Sequence, residues 1–184
     1  LTQTIYSLQP DLSVHDDLTR PLTEKGLQDR KKVTDYFRDK HIDQAFSSPF
    51  KRAIDTIQPV IDEKKLTLSS ISDFRERKIG DEWISNFHEY CERQWEDFDY
   101  KLRNGESLKE TQKRNVAALK LVLSKYQDQT MIIGGHGTAI GSVINYYDPS
   151  FKYEAFAMIQ PKNPFIVKMS FDGEKYLEYK VVTF

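Results

Sequence analysis

The run Met131-Ile132-Ile133-Gly134-Gly135, followed by His136, constrains the fold more than any other part of the chain. A continuous apolar segment that ends in glycines is expected of a strand buried on both faces, because no side of it could be left to water. Such a strand needs helices packed over it, and the rest of the chain supplies them. Turn and cap signals separate strand-like from helix-like segments in alternation, with no linker, repeat or low-complexity tract. That alternation predicts helices on a largely parallel sheet, in one domain over residues 1–184.

Thr2 to Leu8 reads as a first strand, stopped by Pro10 and followed by a polar loop containing His15-Asp16-Asp17. Thr23 then caps a helix whose apolar face is Leu27, Val33, Tyr36 and Phe37, ending near Lys40. Gln44 to Ser47 is a short strand, and Ser48-Pro49 opens a helix with Ala53, Ile54, Ile57 and Ile61 on its apolar side. Ser107, with Glu110 three residues on, makes a capping box for a helix bearing Leu108, Val116, Leu119, Leu123 and Tyr126 at helical spacing. In the tail, Phe165–Phe171 and Tyr176–Phe184 flank Asp172-Gly173, a hairpin signal that makes the last strand antiparallel.

Composition narrows the function. With 28 acidic against 27 basic side chains the formal charge is −1, so the whole surface has no electrostatic claim on nucleic acid or an anionic membrane. Any anion must be held by a local cluster. Cys91 is the single cysteine, which rules out an intrachain disulfide and a cysteine-based zinc cage and fits a small buried hydrophobe. No stretch approaches the length of a membrane span, and the first residues resemble no signal peptide. The expectation is a cytoplasmic location.

Three segments carry chemistry. In Ser47-Ser48-Pro49-Phe50-Lys51-Arg52-Ala53, a strand leads into a helix with Arg52 in its first turn. Helix-start N–H groups and a guanidinium both favour a phosphate there; the alternative is a solvated basic pair. In Gly134-Gly135-His136-Gly137-Thr138, glycines flank a histidine at the carboxyl end of a buried strand, where open α/β sheets bind ligands; the alternative is a structural histidine. In Asp73-Phe74-Arg75-Glu76-Arg77-Lys78-Ile79-Gly80, a carboxyl group could protonate a leaving alkoxide, although taken alone this is a charged loop.

Read in order, Ser-Ser-Pro-x-x-Arg-Ala at 47–53, Phe-Arg-Glu-Arg at 74–77, Asn-Gly-Glu-Ser-Leu at 104–108 and Gly-His-Gly-Thr at 135–138 resemble the histidine phosphatase superfamily, also called the phosphoglycerate mutase-like family. Asp17 to Gly26 likewise looks like the stretch by which small bacterial members enter their first helix, so the resemblance runs nearly end to end. It implies a three-layer α/β/α sandwich, with a mostly parallel central sheet and an antiparallel edge strand. It also implies phosphoryl transfer through a phosphohistidine, with neither metal nor other cofactor. Arg52 and His136 would bind the phosphoryl group beside Gly137, and Glu76 would donate the proton. The partner would be a small phosphate ester or inorganic phosphate. Glu106 and Ser107 also match a family motif, but the capping box explains them without a catalytic role.

One motif departs from the pattern. After Thr4-Ile5-Tyr6, where the family continues toward Arg-His, this chain reads Ser7-Leu8-Gln9-Pro10-Asp11. Three readings follow. The native protein carries a few more residues between Tyr6 and Ser7 and is an ordinary phosphatase; or the chain binds phosphate ligands without turnover; or His15 serves as nucleophile, against the repulsion of Asp16 and Asp17. Hydrolysis is expected over mutase chemistry, since no segment for a bisphosphate is identifiable. The aromatic stretch from Trp83 to Tyr100, with His88 within it, either forms a lid selecting ring-bearing esters or packs a helix onto the core.

Overall fold

The computed structural model describes residues 2–6 (backbone), 18–81, 84–162 and 164–184. Ser7 and Leu8, the Pro10 stop, the loop holding His15 and the aromatic Trp83 therefore lie outside the described residues. In chain order the elements are β1 (Thr2–Tyr6), α1 (Glu24–Phe37), β2 (Gln44–Ser47), α2 (Lys51–Lys64), β3 (Leu68–Ser70), α3 (Phe87–Glu96), α4 (Leu108–Lys125), β4 (Met131–His136), α5 (Gly137–Tyr147), α6 (Tyr153–Ile159), β5 (Phe165–Asp172) and β6 (Lys175–Thr183). A short 3-10 turn, Ser72–Phe74, stands between β3 and α3.

The six strands form one sheet in the order β3-β2-β4-β1-β5-β6. β4 lies inside it, parallel to β1 and β2 on either side, and each of its six residues is buried. The sheet is thus α/β and mostly parallel, as the apolar run requires. The antiparallel part is larger than expected: β5 runs against β1 as well as against β6, so the edge is an antiparallel pair rather than one strand.

Helices cover both faces. On one, Leu119 and Val122 of α4, Ile140 and Val143 of α5, Trp95 of α3 and Phe156 of α6 pack against Ile133, Phe165 and Val167. On the other, Val33 and Phe37 of α1 and Ile57, Val60 and Ile61 of α2 pack against Ala45, Ile132 and Ile166. Alternate residues of a strand point to opposite faces, which is why Ile132 and Ile133 belong to different clusters. Thr23 caps α1 as expected, its hydroxyl accepting from the Gly26 N–H at 3.2 Å. Leu27, however, is 44% exposed; the buried side of α1 carries Gly26, Asp29, Val33, Thr34 and Phe37 instead. No helix among the described residues is long and apolar enough to cross a membrane.

Candidate active site

Parallel registration brings three strand ends to one edge: Tyr6 stands beside His136, and Ser47 beside Gly134. Two strand-to-helix turns open there. In the first, the Ser48 N–H donates to the Gly134 carbonyl at 2.8 Å and the Lys51 N–H to the Leu18 carbonyl at 2.8 Å. Phe50 is the N-cap of α2 and supplies no side-chain cap. Arg52, the second helical residue, lays its guanidinium 4.8 Å from the centre of the Phe50 ring. In the second turn His136 is the N-cap of α5 and is 1% exposed. Its ring meets Phe50 edge-on, with centroids 5.0 Å apart, so one aromatic side chain touches both Arg52 and His136. Gly134 makes this closeness possible: a Cβ there would stand 2.7 Å from the Ser47 Oγ and 2.9 Å from the Ala53 carbonyl oxygen.

His136 Nε2 lies 2.8 Å from the Ser48 Oγ, which already accepts the Phe50 N–H at 3.2 Å. The Ser48 hydroxyl can therefore donate its proton to Nε2 of a neutral imidazole, leaving Nδ1 to carry the ring proton. Burial, and after it the charges of Arg52 and Arg114, hold the imidazole well below its usual range. A ring kept neutral in this way meets a ligand as a hydrogen-bonding group rather than as a cation.

Glu76 reaches the same turn from the loop after the 3-10 turn. Its Oε2 accepts the Thr138 N–H at 3.0 Å, and its Oε1 accepts the Ala139 N–H at 3.1 Å and the Arg77 N–H at 2.8 Å. Helix α5 has no acidic residue in its first turn and no side-chain cap from His136. Glu76 thus supplies from afar the negative charge and acceptors that a helix start favours. Arg77 beside it is buried at 4% exposure. Its Nε donates to the Gln94 Oε1 at 2.7 Å and a terminal nitrogen to the Cys91 Sγ at 3.2 Å, tying the loop to α3. Burial raises the Cys91 thiol above its usual range against the pull of Arg77.

The structure therefore brings Arg52, Glu76, His136 and Gly137, the first residue of α5, to one edge of the sheet. Sequence reasoning assigns no role to Ser48, Phe50, Arg77 and Arg114; the first three stand inside quoted motifs, whereas Arg114 carries no local signal. His41 is elsewhere, its Nε2 2.7 Å from the Asp43 carboxylate. His88 meets the Tyr153 hydroxyl at 2.9 Å and joins α3 to α6. Trp95 stacks on Phe156 with centroids 5.1 Å apart, packing α3 onto the core.

The sequence profile described as histidine phosphatase superfamily (branch 1) matches residues 3–181. A curated relative, the uncharacterized phosphatase PhoE of Bacillus subtilis (strain 168), is 28% identical over 142 residues, covering 77% of this chain and 71% of that protein. A mutant phosphoserine phosphatase from Entamoeba histolytica, solved in complex with phosphoserine, superposes with a TM-score of 0.75 at 18% identity, over 96% of this chain and 92% of that one. A mycobacterial glucosyl-3-phosphoglycerate phosphatase, solved with inorganic phosphate, gives a TM-score of 0.72 at 16% identity, over 100% of this chain and 95% of the other.

Proposed function

Because the chain belongs to the histidine phosphatase superfamily, we propose that it hydrolyses small phosphomonoesters without a metal ion, passing the phosphoryl group through a phosphohistidine. The observation that carries this reading is the meeting of a guanidinium, a neutral imidazole and a carboxyl group at the carboxyl edge of β4. Arg52 and the N-terminus of α2 supply positive charge for the phosphoryl oxygens. His136, held by Ser48 at Nε2, offers a hydrogen bond from Nδ1. Glu76 stands where a leaving oxygen can take a proton.

The reaction has two displacements. A nucleophilic imidazole nitrogen forms a bond to phosphorus as the ester P–O bond breaks, and the departing oxygen takes a proton from Glu76, which enters this step as the neutral acid and leaves it as the carboxylate that the α5 start favours. Water then attacks phosphorus, the N–P bond breaks, and the water proton returns to the Glu76 carboxylate. Positioned positive charge does most of the work in such transfers, and a separate acid serves the leaving group. The family's Arg-His pair follows the first strand, and Tyr6 ends β1 alongside His136, so a nucleophile entering after Tyr6 would arrive beside the other groups. His15 and the residues from Ser7 to Asp17 lie outside the described residues.

The sequence Ser7-Leu8-Gln9-Pro10 after β1 favours a second reading, a phosphate-binding member without turnover. Intact mass of the native protein and a screen of phosphomonoesters separate the two. The enzyme reading expects additional mass and hydrolysis that falls about a hundredfold or more in Arg52→Ala and in His136→Ala, the scale of losing one charge-stabilising group. A mass matching the 184 residues with no hydrolysis, but with retained phosphate binding, leaves the second reading standing. Equal turnover by both variants and wild type removes the pocket.

A further inference from the structure

Glu106 and Arg114 form a structural unit that the capping box does not use. The box consists of the Ser107 hydroxyl accepting the Glu110 N–H and the Glu110 carboxylate accepting the Ser107 N–H; Glu106 turns the other way. Its carboxylate accepts two hydrogen bonds from Arg114, from Nε to Oε1 and from a terminal nitrogen to Oε2, both at 2.9 Å. The same carboxylate accepts from Arg75 at 2.9 Å and from the Lys78 N–H at 2.9 Å. The Glu106 N–H in turn donates to the Lys78 carbonyl at 2.7 Å.

Arg114 completes the arrangement. Its remaining donors reach three backbone carbonyls of the loop that carries the proton donor: Asp73 at 2.8 Å, Arg75 at 2.8 Å and Glu76 itself at 3.1 Å. A guanidinium has five N–H groups in a rigid plane, and all five are engaged. The planar fork joins α4 to the backbone before and at Glu76, while Glu106 holds the backbone at Lys78 just after it. The Arg114 and Glu106 side chains are only 11% and 18% exposed, so water competes weakly for these bonds. Close approach is enforced from the neighbouring turn as well, since a Cβ at Gly105 would come within 2.2 Å of the Ile79 carbonyl oxygen.

We propose that Arg114 and Glu106 are positioning residues that fix the Glu76 carboxyl group on the first turn of α5, where it serves proton transfer. Arg114 acts through Glu76, with no contact of its own to substrate required. The charge of Arg114 alone is insufficient for the task, because a lysine can neither span three carbonyls nor grip a carboxylate with two parallel bonds. In its catalytic arm this inference rests on the phosphatase reading; its structural arm does not.

The test uses the full chain with Arg114→Lys and, as an isosteric second variant that keeps the arginine, Glu106→Gln. The structural readout is amide hydrogen exchange at Thr138 and Ala139, the two α5 groups that donate to Glu76. Exchange there is expected to quicken about tenfold or more, the equivalent of one lost hydrogen bond, while Ile132 and Ile133 in β4 keep their protection. The kinetic readout compares glycerol phosphate, whose alkoxide leaving group needs a proton, with dinitrophenyl phosphate, whose leaving group does not. Turnover of the former is expected to fall about tenfold or more and of the latter less than about threefold, a fraction of what a general acid contributes. Equal losses on both esters, or unchanged exchange at Thr138 and Ala139 in a folded variant, overturn the proposal. Failure of the wild type to hydrolyse either ester sinks the phosphatase reading alone, and the exchange measurement still decides the positioning claim. If Arg114→Lys does not fold, Glu106→Gln carries both readouts.

Discussion

At the β2–α2 turn the helix opens with Lys51-Arg52 and has no acidic residue in its first turn. At the β4–α5 turn the helix opens with Gly137-Thr138-Ala139 and receives a carboxylate from 62 and 63 residues away in sequence. Neither N-cap, Phe50 or His136, caps its own helix with a side chain. A helix N-terminus is already partly positive, so a basic pair there works against helix stability while a carboxylate works for it. The α5 start is thus electrically completed by the protein, whereas the α2 start concentrates positive charge. On the proposed reading a guest anion belongs on the α2 side, and the α5 side contributes a neutral imidazole and the carboxyl group proposed to handle protons; Gly137 opens a helix whose next two N–H groups are already taken by Glu76.

The comparison presumes that the two turns are locked together, and Gly134→Ala is the strongest way to break it. The added methyl would press on the Ser47 hydroxyl and the Ala53 carbonyl, at 2.7 and 2.9 Å, with little room to relax between the end of β2 and the first turn of α2. Overpacking of this kind costs about 1–3 kcal/mol. Denaturant midpoints should fall accordingly, with phosphate affinity falling alongside. A change below about 0.5 kcal/mol, within the range of ordinary surface substitutions, would mean the turns are not in contact.

Acidification sharpens the contrast at a smaller scale. His136 in the native state sits well below the usual histidine range, through burial first and then Arg52 and Arg114. The unfolded chain therefore binds the proton first as pH falls, and the contribution of His136 to stability is lost as pH falls below about 6.5. The slope from this one group is at most about 1.4 kcal/mol per pH unit, the value of one proton. Denaturant midpoints between about pH 7 and about pH 5 should fall more steeply for wild type than for His136→Gln. Parallel pH profiles would show that His136 does not carry this linkage, and the neutral imidazole on the α5 side would go with it.

What was legible in the sequence follows from how local each signal is. The β4 run, the Thr23 and Ser107 caps, the apolar faces of α2 and α4 and the Asp172-Gly173 hairpin depend on residues a few positions apart, and the structure has each of them. Leu27 was misread because α1 buries Asp29 in its place, paired with Lys25 and Lys32, and no periodicity reveals that a charge will be satisfied. The antiparallel placement of β5 beside β1 depends on strand order, which no segment states by itself. In the site, Arg52 and His136 were visible because each stands in a strand-to-helix turn. Glu76 looked like one acid in a charged loop, since its partners Thr138 and Ala139 are far along the chain. Arg114 was invisible for the same reason: it sits on the otherwise regular surface of α4 and serves carbonyls 38 to 41 residues earlier.

The cap on α4 offers the smallest and most selective perturbation, because it contrasts a local helix start with the one completed by Glu76. In Ser107 the hydroxyl accepts the Glu110 N–H at 3.2 Å, and the Glu110 carboxylate accepts the Ser107 N–H at 2.9 Å. Ser107→Ala removes the first bond and leaves the second, so about 1 kcal/mol of stability should be lost. Arg114 lies two turns into the helix, beyond the fraying expected at an uncapped end, and its bonds to the Glu76 loop should survive. Turnover, and exchange at Thr138 and Ala139, should then match wild type while the denaturant midpoint falls. Faster exchange at those two amides in Ser107→Ala would tie the two helix starts together through α4 and dissolve the distinction between them.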